Sequence, residues 1–233
     1  MVILAIYSFT YKVESEEYRM TSANARGSVD NCSSHDANFG GKIGYNVVSY
    51  VNQALYGDSG TRFFTRWTAD GYVETGCYNT LCEGFVKVAN SPLSPGQVLP
   101  ISTLDEHHDL QIWIEKDHTE DWWLYASTDN SGSGQIGYWP KSLFSRLAQN
   151  ATDINFGGLV QAIEGSPSPP MGSGHLPNEG SAAYFANVEY VDQSGRKIAG
   201  ILPSVVTNKN CYDVGDMKDA RFSYGGPGGC LRR

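Results

Sequence analysis

Along most of the chain, apolar and polar residues alternate with a period of two. Residues 45–51, 61–67, 84–89, 110–115 and 122–125 follow this rule, and so do 158–163 and 183–191, with a shorter run at 205–206. Such alternation predicts half-buried strands, because successive side chains leave a strand on opposite faces. Glycine, aspartate and serine clusters at 56–60, 69–71, 129–134 and 193–195 supply the turns between them. The apolar residues 1–7 read as an opening strand. Their run is short, no basic segment precedes it and no small-residue cleavage site follows.

One segment has the period of a helix. After Trp139-Pro140, the apolar residues Leu143, Phe144, Leu147 and Ala148 recur one, four and five positions apart. A helix over 141–148 is therefore expected, plugging one end of the sheets. The Pro/Gly/Ser stretch 165–174 reads as a surface loop, since the strands on both sides share one style. The reading is one all-β domain over residues 1–233: an antiparallel β-sandwich of two stacked sheets with one short helix.

Composition narrows the function classes. The 233 residues are 40% apolar and 18% charged, and 17 basic against 25 acidic residues give a net charge of −8. Low charge with many aromatics argues against disorder. An acidic chain without a basic run suits neither nucleic acid nor an anionic membrane surface. No apolar run is long enough to span a bilayer.

Five cysteines occur, at 32, 77, 82, 211 and 230. The Cys77–Cys82 spacing suits a small disulfide-closed loop better than a zinc knuckle, and a bridge between Cys211 and Cys230 would pin a Gly-rich tail. The competing reading is five unlinked buried thiols. Two disulfides are favoured, because no histidine lies near Cys77, Cys82, Cys211 or Cys230 at ligand spacing. Two Asn-X-Ser/Thr triplets, at Asn31 and Asn150, suit a secreted chain.

Candidate chemistry from residue type alone is sparse. Asp105-Glu-His-His-Asp109 has the composition of a metal site, but adjacent residues of an extended chain point apart, so no metal is expected there. His175 stands by the Pro/Gly loop without a nucleophile elbow. Glu115, Glu189 and Asp213 lack a recognisable carboxylate partner for paired-acid chemistry.

A set of motifs carries more. Leu55-Tyr-Gly-Asp58, Trp67-Thr-Ala-Asp-Gly-Tyr72, Gly76-Cys-Tyr-Asn79 and Cys82-Glu-Gly-Phe85 are followed by Asp121-Trp-Trp-Leu124 and Ile136-Gly-Tyr-Trp-Pro140. Then come Phe156-Gly-Gly158, Met171-Gly-Ser-Gly-His175, Asn210-Cys-Tyr-Asp213 and Tyr224-Gly-Gly-Pro227. In this order the motifs resemble the neprosin domain family, known from plant proteins and from a prolyl endopeptidase of pitcher-plant fluid. The resemblance implies a secreted β-sandwich with disulfides Cys77–Cys82 and Cys211–Cys230. For the family's peptidases it also implies two glutamates facing each other across a cleft.

Carried over position by position, the first of those glutamates falls on Asn46 and the second on Leu159. Leucine has no titratable proton, and an amide is no base. The expectation is a cleft without catalytic residues, without cofactor or metal, lined by Tyr45, Asn46, Trp67, Tyr138, Trp139, Leu159, Gln161 and His175. Amides and aromatics in a cleft suit a glycan or peptide ligand, in a lectin-like defence or toxin role. For Trp67 and Trp139 the competing reading is core packing. The alternative function is a peptidase with a relocated acid pair drawn from Asp58, Asp70, Glu74 or Glu164. A structural or storage role is the third reading.

Overall fold

Leu110, Ile112 and Ile114 are fully buried, while Gln111, Trp113 and Glu115 between them are only partly so. The same alternation continues through Trp122, Leu124 and Ala126. These two runs lie side by side at the centre of the larger of two sheets. The computed structural model describes residues 3–10, 20–28, 44–50, 53–70, 74–103, 105–144, 147, 151, 153–160, 165–192, 194, 196–199, 206 and 208–231.

The described strands are β1 (Ile3–Thr10), β2 (Met20–Ser28), β3 (Gly44–Tyr50), β4 (Arg62–Thr68), β5 (Cys77–Tyr78), β6 (Val86–Lys87) and β7 (Asp109–Lys116). They continue as β8 (Trp122–Thr128), β9 (Ser131–Trp139), β10 (Asp153–Leu159), β11 (Ala183–Asp192), β12 (Lys197–Ala199), β13 (Asp213–Val214) and β14 (Phe222–Gly225). One five-stranded sheet runs β10-β1-β3-β4-β5. A nine-stranded sheet runs β13-β14-β11-β2-β7-β8-β9-β6, with β12 paired to β11. The strand pairings are antiparallel throughout.

The core lies between the two sheets. Phe63 and Trp67 of β4 meet Ile112, Leu124, Ile136, Trp139, Phe185 and Tyr224 of the larger sheet in one buried cluster. The ring of Phe156 on β10 stands edge-on to that of Phe185, with centroids 6.3 Å apart. Residues such as these each bury large apolar areas, and a single core of this kind holds the domain together. The chain is an all-β sandwich.

Two expectations need correction. Of the helix expected over 141–148, Lys141–Leu143 form a single 3-10 turn and Phe144 is already extended at φ −122° and ψ 131°, while residues 145, 146 and 148 lie outside the described residues. Tertiary contacts override the helical period here. The Phe144 ring stands edge-on to Trp67 at 6.1 Å, and the Leu147 carbonyl accepts the Trp122 indole N–H at 2.9 Å. The only α-helix among the described residues is instead the short α1 (Gln53–Tyr56), which gives way to Gly57 at φ +77°. Of the strand expected over 158–163, Gly158 and Leu159 end β10, Val160 is not in a strand, and residues 161–163 lie outside the described residues. Val206 is not in a strand, and Val205 lies outside the described residues.

Candidate functional site

The site expected from the sequence centres on positions 46 and 159, and both lie in the five-stranded sheet. Asn46 on β3 pairs with Ser8 on β1 and with Arg66 on β4. Ser8 pairs in turn with Asn155 on β10, and Arg66 with Tyr78 on β5. One register row therefore crosses the whole sheet as Asn155, Ser8, Asn46, Arg66 and Tyr78. Leu159 belongs to a different row, with Ile3, Tyr50 and Arg62.

The two rows are four residues apart along β3 and β10. At about 3.3 Å per residue, and two strand spacings of about 4.8 Å, the backbones of Asn46 and Leu159 stand on the order of 16 Å apart. The β10 residue in the row of Asn46 is Asn155, and the side chains of Asn46 and Leu159 lie outside the described ones.

The strands of this sheet contain one carboxylate, Asp153, at the start of β10 opposite Thr10. They contain two arginines, Arg62 and Arg66. Arg66 is 2% exposed, and its guanidinium lies 5.9 Å from the Tyr78 ring centroid. Arginine keeps its charge at any ordinary pH, so this row is a poor place for a cation.

The other expected residues scatter. Trp139 is 0% exposed and packs on Phe85 at 4.8 Å. Trp67 is 8% exposed; a Cβ on Gly84 would lie only 2.1 Å from its Nε1, so the indole lies directly against that glycine. Both tryptophans are core residues, closed to a ligand arriving from solvent. Tyr138 lies on β9 of the other sheet and stacks on Trp123 at 4.7 Å. It does not share a site with Asn46. Tyr45 pairs with Trp67 in the β3–β4 ladder, and Gln161 lies outside the described residues. His175 is exposed, and its Nδ1 lies 2.7 Å from Glu179 Oε2.

Of the acids considered as substitutes, Asp58 and Asp70 are engaged elsewhere. Asp58 pairs with Arg62 at 2.5 Å and accepts the Gly60 N–H; its hydrogen bond from Arg62 holds its carboxyl below the usual range. Asp70 accepts the N–H groups of Glu74 and Thr75. Glu74 is exposed, and Glu164 lies outside the described residues. Of the paired histidines, His107 is exposed and His108 Nε2 lies 3.4 Å from Glu106 Oε1. No group of three or more metal-ligating side chains is assembled among the described residues.

Several of the motif residues hold the sheets together. Tyr56, Asp58 and Arg62 interlock, with the guanidinium 4.7 Å from the Tyr56 ring centroid. Asn79 bonds to the Thr65 backbone in both directions, through Thr65 N–H to its Oδ1 and through its own N–H to the Thr65 carbonyl. Cys77–Cys82 and Cys211–Cys230 are both bonded. A Cβ on Gly158 would come within 2.5 Å of Met171 Sδ, so this glycine of β10 seats Met171. A match to the Neprosin family model covers residues 33–227. The chain belongs to the Neprosin family. Several of its motif residues in this chain pack or latch the two sheets, and in one motif Asp121 Oδ2 lies 3.0 Å from the Thr119 hydroxyl that also lies 2.6 Å from Asp117 Oδ1.

The sequence reading passed over two features. Arg66 sits one strand from Asn46, and only the pairing register reveals that. The outward aromatics Trp113, Trp123 and Tyr125 were legible as the alternate positions of β7 and β8, but nothing in the sequence said which face they would share.

Proposed function

We propose that this Neprosin-family chain is a binding protein that lacks the family peptidases' proton-transfer pair. It takes an uncharged polar ligand, a glycan or a peptide segment, at the part of the five-stranded sheet that carries Asn155, Ser8 and Asn46. The observation that carries this reading is the acid content of the five-stranded sheet: one carboxylate, Asp153, in all its strands. Paired-acid hydrolysis needs a protonated and an ionised carboxyl around one water. An acid–base group contributes roughly 10²-fold or more to a rate.

The row is rich in amide and hydroxyl groups, which both donate and accept hydrogen bonds. Buried Arg66 disfavours a cationic ligand. The two disulfides and the family are consistent with an extracellular protein, where a lectin-like role would be exercised. No helix among the described residues is long and apolar enough to cross a membrane.

The test is a glycan and peptide array probed with the wild type and with the double variant Asn46→Ala, Gln161→Ala. Loss of the captured ligand in the variant supports the reading. Undiminished binding, or an empty array, refutes it.

A further inference from the structure

The nine-stranded sheet carries its own cluster of aromatic and polar side chains, on the face turned away from the core. Trp113 on β7 stacks on Tyr125 on β8, with centroids 5.0 Å apart and planes 6° from parallel. Trp123 on β8 stacks on Tyr138 on β9 at 4.7 Å. The residues alternating with them, Ile112, Ile114, Leu124 and Trp139, are buried in the core. The four rings are only half-buried, so each still meets solvent.

Polar groups complete the two rows of rings and fill the row beside them. Glu115 is opposite Trp123, Gln135 opposite Tyr125, and Gln111 opposite Ser127. Tyr125 has Gln135 and Glu115 as its polar neighbours, and Ser127 Oγ lies 3.4 Å from Gln111 Oε1.

We propose that this aromatic face of β7, β8 and β9 is a binding surface for a neutral, hydroxyl-rich glycan. Stacked cross-strand pairs alone would stabilise a sheet without any ligand. The polar set around them points further. Glu115 is an acceptor only, and the two glutamines add amide acceptors and donors, which together match ring hydroxyls. Aromatic rings offer the flat apolar contact that the C–H faces of a pyranose need. Charge selects against acidic sugars, because Glu115 lies within the cluster and the chain carries −8. A peptide added as a strand is excluded by topology: β8 is hydrogen-bonded on both sides, so it has no open edge. This surface is on the opposite sheet from Asn46, and it stands whether or not the five-stranded row binds anything.

Affinity electrophoresis of the whole chain tests it. The gels carry a soluble β-glucan, xylan, galactomannan or, as the acidic control, polygalacturonate. A proline-rich peptide is titrated separately. At least one neutral polysaccharide is expected to retard the wild type, and polygalacturonate is not. Trp113→Ala is expected to weaken that retardation about tenfold, the loss of one ring contact with its neighbours. Gln135→Ala alters an exposed side chain without touching the core, so it decides the matter if Trp113→Ala does not fold; it too is expected to weaken retardation. Three results overturn the proposal: no neutral polysaccharide retards the chain, the folded variants retard as well as wild type, or only the peptide binds. Retardation lost with Asn46→Ala and kept in Trp113→Ala would assign the glycan to the other sheet and also overturn it.

Discussion

The side-chain amide of Asn79 donates to the Tyr56 hydroxyl at 2.7 Å. This bond joins the loop closed by Cys77–Cys82 to the helical turn before Gly57, across β4. Asn79 is 5% exposed and sits at φ +51°, a left-handed conformation that asparagine tolerates better than most residues. Burial pushes the Tyr56 hydroxyl up from its ordinary pKa, so it stays protonated and available to accept. Two family motifs that look like site residues are thereby tied into one structural latch.

Asn79→Ala should be the costly change in this latch. It removes the Tyr56 bond and leaves the buried Thr65 N–H without its Oδ1 acceptor. A loss of about 2–3 kcal/mol is expected, against about 1 kcal/mol for Tyr56→Phe. Urea unfolding of the two variants beside wild type checks the order, and equal effects would contradict it.

Much of the fold was legible because the core-facing residues of β7 and β8 are large and strictly alternating. β2 was not legible. Its run of Thr, Ser, Ala, Asn, Arg and Gly has little strand propensity, and it is held by pairing to β7 and β11 on both sides. β10 was read too late because Gly157 and Gly158 conceal its inward side, which continues from Phe156. The candidate site was legible as residue types and not as a place. Amide and aromatic positions separated by ninety residues in sequence fell on two different sheets, and only pairing register distinguishes them.

The two disulfides should differ in worth. Cys211–Cys230 closes a chain separation of 19 and Cys77–Cys82 one of 5. Loop-closure entropy then gives about 3 kcal/mol for the former and about 2 kcal/mol for the latter. Paired Cys→Ser variants of each, compared by chemical denaturation, should follow that order. A larger loss from the shorter loop would contradict it.

Stability should fall on the acid side in a defined window. Hydrogen bonding from Arg62 depresses Asp58, and hydrogen bonding from Ser194 depresses Asp192. For Asp117, burial pushes upward but is outweighed by hydrogen bonds from Thr119 and Asp121, so it too is depressed. A carboxylate with a lowered folded pKa contributes stability above its unfolded value, about 3.9 for aspartate, and loses it as pH falls through the folded value. The melting temperature should therefore hold from neutrality to about pH 5 and drop below about pH 4. Asp117→Asn should make that drop shallower. A fall already complete at about pH 5 would contradict the assignment to these aspartates.

Hydrolysis at acid pH separates a binding protein from a peptidase most directly. Pure wild-type protein, incubated with proline-containing peptides from about pH 2.5 to 5, spans the range where a carboxyl pair would exchange its proton. Mass spectrometry of the peptides should show no cleavage after proline at any of these pH values. Cleavage that disappears on Asp153→Asn or Glu164→Gln would contradict the account and make the chain a peptidase with a relocated acid.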